Sequence, residues 1–118
     1  TVYGTYVSNY AMAVCASSKS EIIIKGGEFA NQAPAGSALS LIYAEDNAKI
    51  TIEGGTFKCV SPAWTLNCND SDAATITVKG GSFYKFDPSN VTVGEGEIFI
   101  ADGYKVVQNG DWYNVVPK

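Results

Sequence analysis

Apolar and polar residues alternate through three octapeptides of nearly identical sequence. They are Ile22-Ile23-Ile24-Lys25-Gly26-Gly27-Glu28-Phe29, Ile50-Thr51-Ile52-Glu53-Gly54-Gly55-Thr56-Phe57 and Ile76-Thr77-Val78-Lys79-Gly80-Gly81-Ser82-Phe83. They recur at offsets of 28 and 26 residues. A fainter copy opens the chain, because Val2-Tyr3-Gly4-Thr5-Tyr6 aligns with Glu53-Gly54-Gly55-Thr56-Phe57 once one glycine is dropped. β-branched residues at a period of two predict strands, with Ile24, Ile52 and Val78 on one face and Ile23, Thr51 and Thr77 on the other. A unit that returns at a near-constant interval predicts a solenoid, in which each coil buries its apolar face against the next. Stacked in register, Ile24, Ile52 and Val78 form one buried column, and Tyr6, Phe29, Phe57 and Phe83 form an aromatic ladder. The glycine pair marks a sharp corner between two strands.

A second apolar stretch precedes each octapeptide: Ala11 to Cys15, Leu39 to Tyr43 and Trp64 to Cys68. The expected inward residues are Ala13 and Cys15, Leu41 and Tyr43, Leu66 and Cys68, with Met12 and Val14 an equal alternative in the first stretch. Polar turns follow at 16–21, 44–49 and 69–75, and the segments 30–37 and 58–63 supply the remaining side and a loop of variable length. The residue before each glycine pair reads Lys25, Glu53, Lys79, so one register sets opposite charges side by side on neighbouring strands.

After Phe83 the repeat lapses. Asp87-Pro88 initiates a turn, and Val91 to Val93 and Glu97 to Ile100 are short strand candidates. Asn109-Gly110 between two apolar runs signals a hairpin. The division expected is therefore repeats over 1–94 and capping strands with a hairpin over 95–118. The first rung, beginning at Thr1, presents an open edge that an upstream segment or another subunit is expected to cover.

Composition narrows the function. At 118 residues, with 46% hydrophobic and 17% charged residues, the chain is one folded domain and not a disordered segment. No apolar run approaches the ~20 residues needed to span a bilayer, so membrane insertion is not expected. The net charge is −4, every one of the eight cations is lysine, and histidine is absent. Nucleic-acid recognition rests on clustered cations, arginine prominent among them, so no nucleic-acid partner is expected. Without histidine, serine–histidine and cysteine–histidine hydrolysis is excluded. Three cysteines, Cys15, Cys59 and Cys68, make an odd set with no CxxC pair, which reads as small core hydrophobes with free thiols and neither a disulfide framework nor a zinc site.

Carboxylates are the remaining acid–base groups. Glu45 with Asp46 and Asp70 with Asp72 occupy corresponding turns one repeat apart, where a glycosidase pair or a calcium site would have to be built. Acidic residues in turns are ordinarily solvated turn formers, and no catalytic residue, metal site or cofactor is assigned. Asn69 and Asn90 head glycosylation sequons. Exposed aromatics offer a binding feature, with Trp64, Trp112 and Tyr113 the candidate contact residues and Tyr84 and Tyr104 in the same class.

The run Ile76 to Phe83, continued by Tyr84 to Ser89 and closed by Ala101-Asp102-Gly103-Tyr104-Lys105-Val106-Val107 and Gly110-Asp111-Trp112-Tyr113, resembles the repeat-plus-terminus arrangement of right-handed parallel β-helix proteins. It is similar to those of tailed-phage virion proteins, such as fibres, spikes and head decorations, and of gut bacterial surface proteins. The resemblance implies an all-β parallel β-helix of about three to four coils with a C-terminal β-hairpin cap. It implies a non-enzymatic structural and adhesive role on a virion surface, as a capsid decoration or tail-fibre module. The partners would be other virion proteins or a host-surface glycan, and the assembly a homo-oligomer, with a trimer expected from that class. A bacterial cell-surface adhesin repeat and a fragment of a polysaccharide depolymerase are the alternatives. No active-site motif carries over.

Overall fold

Twelve short strands make up a computed structural model that describes residues 5–8, 14–16, 18–31, 41–59, 65–68, 74–89 and 98–118. They are β1 (Thr5–Ser8), β2 (Val14–Ala16), β3 (Glu21–Ile24), β4 (Glu28–Asn31), β5 (Ile42–Ala44), β6 (Lys49–Ile52), β7 (Thr56–Lys58), β8 (Leu66–Cys68), β9 (Thr75–Val78), β10 (Ser82–Tyr84), β11 (Tyr104–Asn109) and β12 (Trp112–Pro117). The first ten visit three sheets in strict rotation. One sheet runs β2-β5-β8, a second β3-β6-β9, and the third β1-β4-β7-β10-β12-β11.

The octapeptides pair as their alternation requires. Ile24 stands beside Ile52, and Ile52 beside Val78, in parallel register, and all three side chains are fully buried. Outward-facing Ile23, Thr51 and Thr77 stay half-buried. Lys25, Glu53 and Lys79 follow as an exposed row of alternating sign, and Glu21 faces Lys49 at the other end of the same strands. Opposite neighbours of this kind contribute roughly 0.2–1 kcal/mol each and penalise any slip of register.

The corner glycines are demanded by close approach. A Cβ on Gly54 would lie 2.6 Å from the Lys25 carbonyl oxygen, and one on Gly80 would lie 2.9 Å from the Glu53 carbonyl carbon. Two residues after each glycine pair Phe29, Phe57 and Phe83 turn inward and stack, with ring centroids 4.9 and 4.8 Å apart and planes within 10° of parallel. Each such pair adds about 0.5–1.5 kcal/mol beyond the area it buries. Tyr6 takes the register position next to Phe29.

In the β2-β5-β8 sheet Cys15 pairs with Tyr43 as expected, but β8 pairs one residue off the expected register. Val14, Ile42 and Leu66 align, as do Ala16, Ala44 and Cys68, whereas Cys15 aligns with half-buried Tyr43 and Asn67. Leu41 and Ile42 are consecutive and both fully buried, so the stretch Leu39 to Tyr43 does not alternate and cannot announce its own inward face. The corner between this sheet and the next uses two successive left-handed residues, Asp46 (φ 54°) and Asn47 (φ 64°), residue types that tolerate this region.

The expected parallel β-helix is corrected here. The sheets are three, separate and open, and none closes on itself. Among the described residues two are wholly parallel with three strands each, while the third is six-stranded and mixed. The cause lies after Phe83. Lys85 adopts a left-handed φ of 51°, and Asp87 ties back Ser89 through its backbone N–H (2.9 Å) and hydroxyl (2.6 Å), so the chain leaves the repeat path around buried Pro88. When it returns, β12 joins β10 antiparallel, Phe83 opposite Tyr113, and β11 folds antiparallel onto β12. The chain thus closes as a compact all-β globule, 32 × 29 × 29 Å, instead of extending as a solenoid.

The tail contributes two further elements. Ile100 bridges Val78 in parallel, with the Val78 N–H donating to the Phe99 oxygen (2.8 Å) and the Ala101 N–H to the Val78 oxygen (3.0 Å), which covers the β9 edge. Asn109 pairs with Trp112, so the hairpin turn is Gly110-Asp111 and not Asn109-Gly110. Gly110 alone is left-handed (φ 63°), the pattern of a type II′ turn. The expected strand at Val91 to Val93 lies outside the described residues.

Candidate functional site

Alternation along the six-stranded sheet sorts its side chains onto two faces. Phe29, Phe57, Phe83 and Val115 are buried on the inner one. The outer face carries two rows that cross the strands. In one, exposed Glu28 is followed by Thr56, Ser82 and Asn114, and the Ser82 hydroxyl donates to Asn114 Oδ1 at 2.6 Å. In the other, Ala30 precedes Lys58, then Tyr84, then Trp112, with Asn109 of β11 beyond.

The second row holds the site. The Lys58 Nζ lies 4.7 Å from the centroid of the Tyr84 ring, and the Lys85 Nζ lies 5.3 Å from the same centroid. Trp112 meets Tyr84 edge to face, centroids 5.3 Å apart. Both lysines are exposed, while Tyr84 and Trp112 are half-buried. The backbone pins the arrangement, because the Lys85 N–H donates to the Asp111 oxygen at 2.6 Å and so locks the end of β10 to the hairpin turn. Among the described residues no carboxylate pairs with either ammonium. The arrangement is a small platform of two aromatic rings with two cations at one end, set on a rigid sheet. Chemically it suits stacking against a ring with polarised C–H groups together with pairing to an anion.

Of the residues singled out in the sequence, Trp112 belongs to this platform. Tyr113, its neighbour in β12, points to the opposite face, in register with Phe83, and does not join it. Trp64 lies outside the described residues. So do Asp70, Asp72, Asn69 and Asn90, which leaves Glu45 and Asp46 to be placed alone. Asp46 sits exposed in the left-handed turn, its oxygen accepting from the Lys19 N–H (2.9 Å), and Glu45 donates its N–H to Ala16 (2.9 Å), both roles of a turn former. Cys59 is buried directly after β7. Cys15 and Cys68 belong to β2 and β8, with β5 between them.

Lys58 and Lys85 were missed by sequence reasoning, and a signal for the first existed. The position after the ladder phenylalanine reads Ala30, Lys58, Tyr84, so aligning the repeats one residue further sets a lysine beside a tyrosine on neighbouring strands. Lys85 has no such signal, because it reaches Tyr84 only through the left-handed turn of the chain at that residue. No helix among the described residues is long and apolar enough to cross a membrane, and those residues bring together no group of three or more metal-ligating side chains.

Comparison with protein-family models, with curated proteins and with solved structures finds no match.

Proposed function

We propose that this chain is a non-enzymatic binding module that holds a surface glycan against the outer face of its six-stranded sheet. The observation that carries the reading is the platform of Tyr84 and Trp112, two adjacent rings kept in a fixed T-shaped contact by strands β10 and β12. A sugar presents one face of C–H groups, which packs on an aromatic ring, and a rigid platform loses little conformational entropy on binding. The stacked phenylalanines beneath keep the sheet from yielding. Carried on the outside of a virion, as the resemblance of the repeat and terminus implies, such a module would act as a decoration or tail-fibre contact. On a bacterial surface the same platform would serve adhesion.

The test is a glycan array probed with the chain and with Trp112→Ala and Tyr84→Ala variants, each checked for retained fold by circular dichroism. Loss of a stacking ring is expected to weaken binding about tenfold, equivalent to ~1.4 kcal/mol. No binding to any glycan, or binding indifferent to both substitutions, would refute the reading. Copurification with capsids in the absence of glycan binding would make the role one of decoration alone.

A further inference from the structure

We infer that the glycan bound at this platform is acidic, a polymer of uronic acid or another carboxylated sugar, with its carboxylate held by Lys58 and Lys85. The inference rests on the glycan-binding reading above and adds the charge of the ligand. Three observations carry it. Two ammonium groups converge within 5.3 Å of one ring centroid although the chain has a net charge of −4 and only eight cations. The pair therefore stands out as a local positive site on an acidic protein. Elsewhere in the fold lysines alternate with carboxylates along the rows, as in Lys25-Glu53-Lys79 and Glu21-Lys49, whereas in the row Ala30-Lys58-Tyr84-Trp112 no carboxylate stands next to Lys58.

Their placement also fits a stacked ligand. Lys58 precedes Tyr84 in the row and Lys85 follows it in the chain, so both cations lie over the Tyr84 ring, and Trp112, edge to face with it, supplies the neighbouring surface on which a sugar would lie. A sugar stacked on Trp112 thus directs substituents toward the two ammoniums. Each ammonium offers three rotatable donors, a match for a carboxylate approaching in any orientation. Glu28 lies diagonal to Lys58 on the neighbouring strand and Asp111 adjoins Trp112 in the hairpin turn, but both acids are exposed, where water and salt screen their repulsion.

Polygalacturonate and its fully methyl-esterified form supply the test, because they share one sugar and differ in charge. Binding of each would be measured by isothermal titration to the intact chain and to Lys58→Gln, Lys85→Gln, the double Gln variant and Trp112→Ala. The expected result is binding to the acid polymer only, weakened roughly fivefold by each single lysine change, more by the double change, and lowered by added salt. Equal binding of acid and ester, lost in Trp112→Ala but unmoved by the lysine changes and by salt, would overturn the inference and leave the glycan reading standing. Binding of neither polymer here, with no binder on the array, would overturn both.

Discussion

The repeat-built part of this molecule and its C-terminal hairpin use the same kind of strand in opposite ways. In the repeats, strands of three or four residues are too short to be stable alone, and they gain stability from columns of identical contacts. Ile24, Ile52 and Val78 are wholly buried, and three phenylalanine rings stack at van der Waals spacing. In the hairpin, β11 and β12 are six residues each, yet of their twelve side chains only Val115 is buried, and Val107 is 46% exposed. Here stability comes from a ladder of local antiparallel pairs and a tight turn. The lesson is that the repeats tolerate change at their surface and almost none in their columns, while the hairpin tolerates change nearly everywhere and depends on the junction that docks it.

The contrast breaks most sharply with one carboxylate placed in each region. Ile52→Asp puts an unpaired charge between Ile24 and Val78 with no donor in reach, at a cost of several kcal/mol. A domain of this size holds only about 5–15 kcal/mol in total, so the variant is expected to be unfolded or nearly so. Val107→Asp, half exposed on the edge strand, should stay within about 0.5 kcal/mol of the parent. Urea denaturation followed by fluorescence reads both. A folded Ile52→Asp variant with an unchanged midpoint would mean the column does not carry the fold.

How much of this was legible beforehand depends on whether a segment declares its own face. The octapeptides do, because Ile-x-Ile alternation, a flanking charge and a glycine pair all point to one register, and the columns at Ile52 and Phe57 form as read. The stretch at Leu39 to Tyr43 does not, since Leu41 and Ile42 are both buried, and the expected inward role of Tyr43 fails by one residue. The overall architecture was hidden for a different reason. Nothing in the repeat specifies the direction of the strand that follows it, and the antiparallel return of β12 depends on the turn at Lys85 to Ser89 and on pairing across about thirty residues. The binding platform is hidden in the same way, because Tyr84, Lys85 and Trp112 meet only once that return is made.

A smaller effect sharpens the same comparison at two glycines. In Gly80→Ala the new methyl group meets the Glu53 carbonyl, backbone that cannot step aside, so a loss of about 1–3 kcal/mol is expected from overpacking. Gly110 has nothing within 4 Å of its would-be Cβ and needs only its left-handed φ, so Gly110→Ala should cost about 1 kcal/mol. Thermal melts of the two variants would order them. If Gly110→Ala proves the worse, the hairpin turn and not the stacked corner limits stability.

The smallest effect concerns the junction, where a side-chain hydrogen bond joins the two regions. The Ser82 hydroxyl of β10 donates to Asn114 Oδ1 of β12 at 2.6 Å, in a half-buried position on the outer face. Net contributions of such bonds run about 0.5–1.5 kcal/mol, and three backbone contacts, Val115 to Gly81, Lys85 to Asp111 and Lys118 to Gly103, support the same docking and internal closure. A double-mutant cycle with Ser82→Ala and Asn114→Ala isolates the pairwise part. We expect a coupling of about 0.5–1 kcal/mol in global stability if hairpin and repeats unfold as one unit. Should hydrogen exchange instead show the β11–β12 amides opening earlier than those of β6, with the coupling confined to that opening, the hairpin is a separately unfolding element. Tyr84 and Trp112 would then part whenever it opens, and ligand affinity would track the same substitutions, which ties the stability of the junction to the occupancy of the platform.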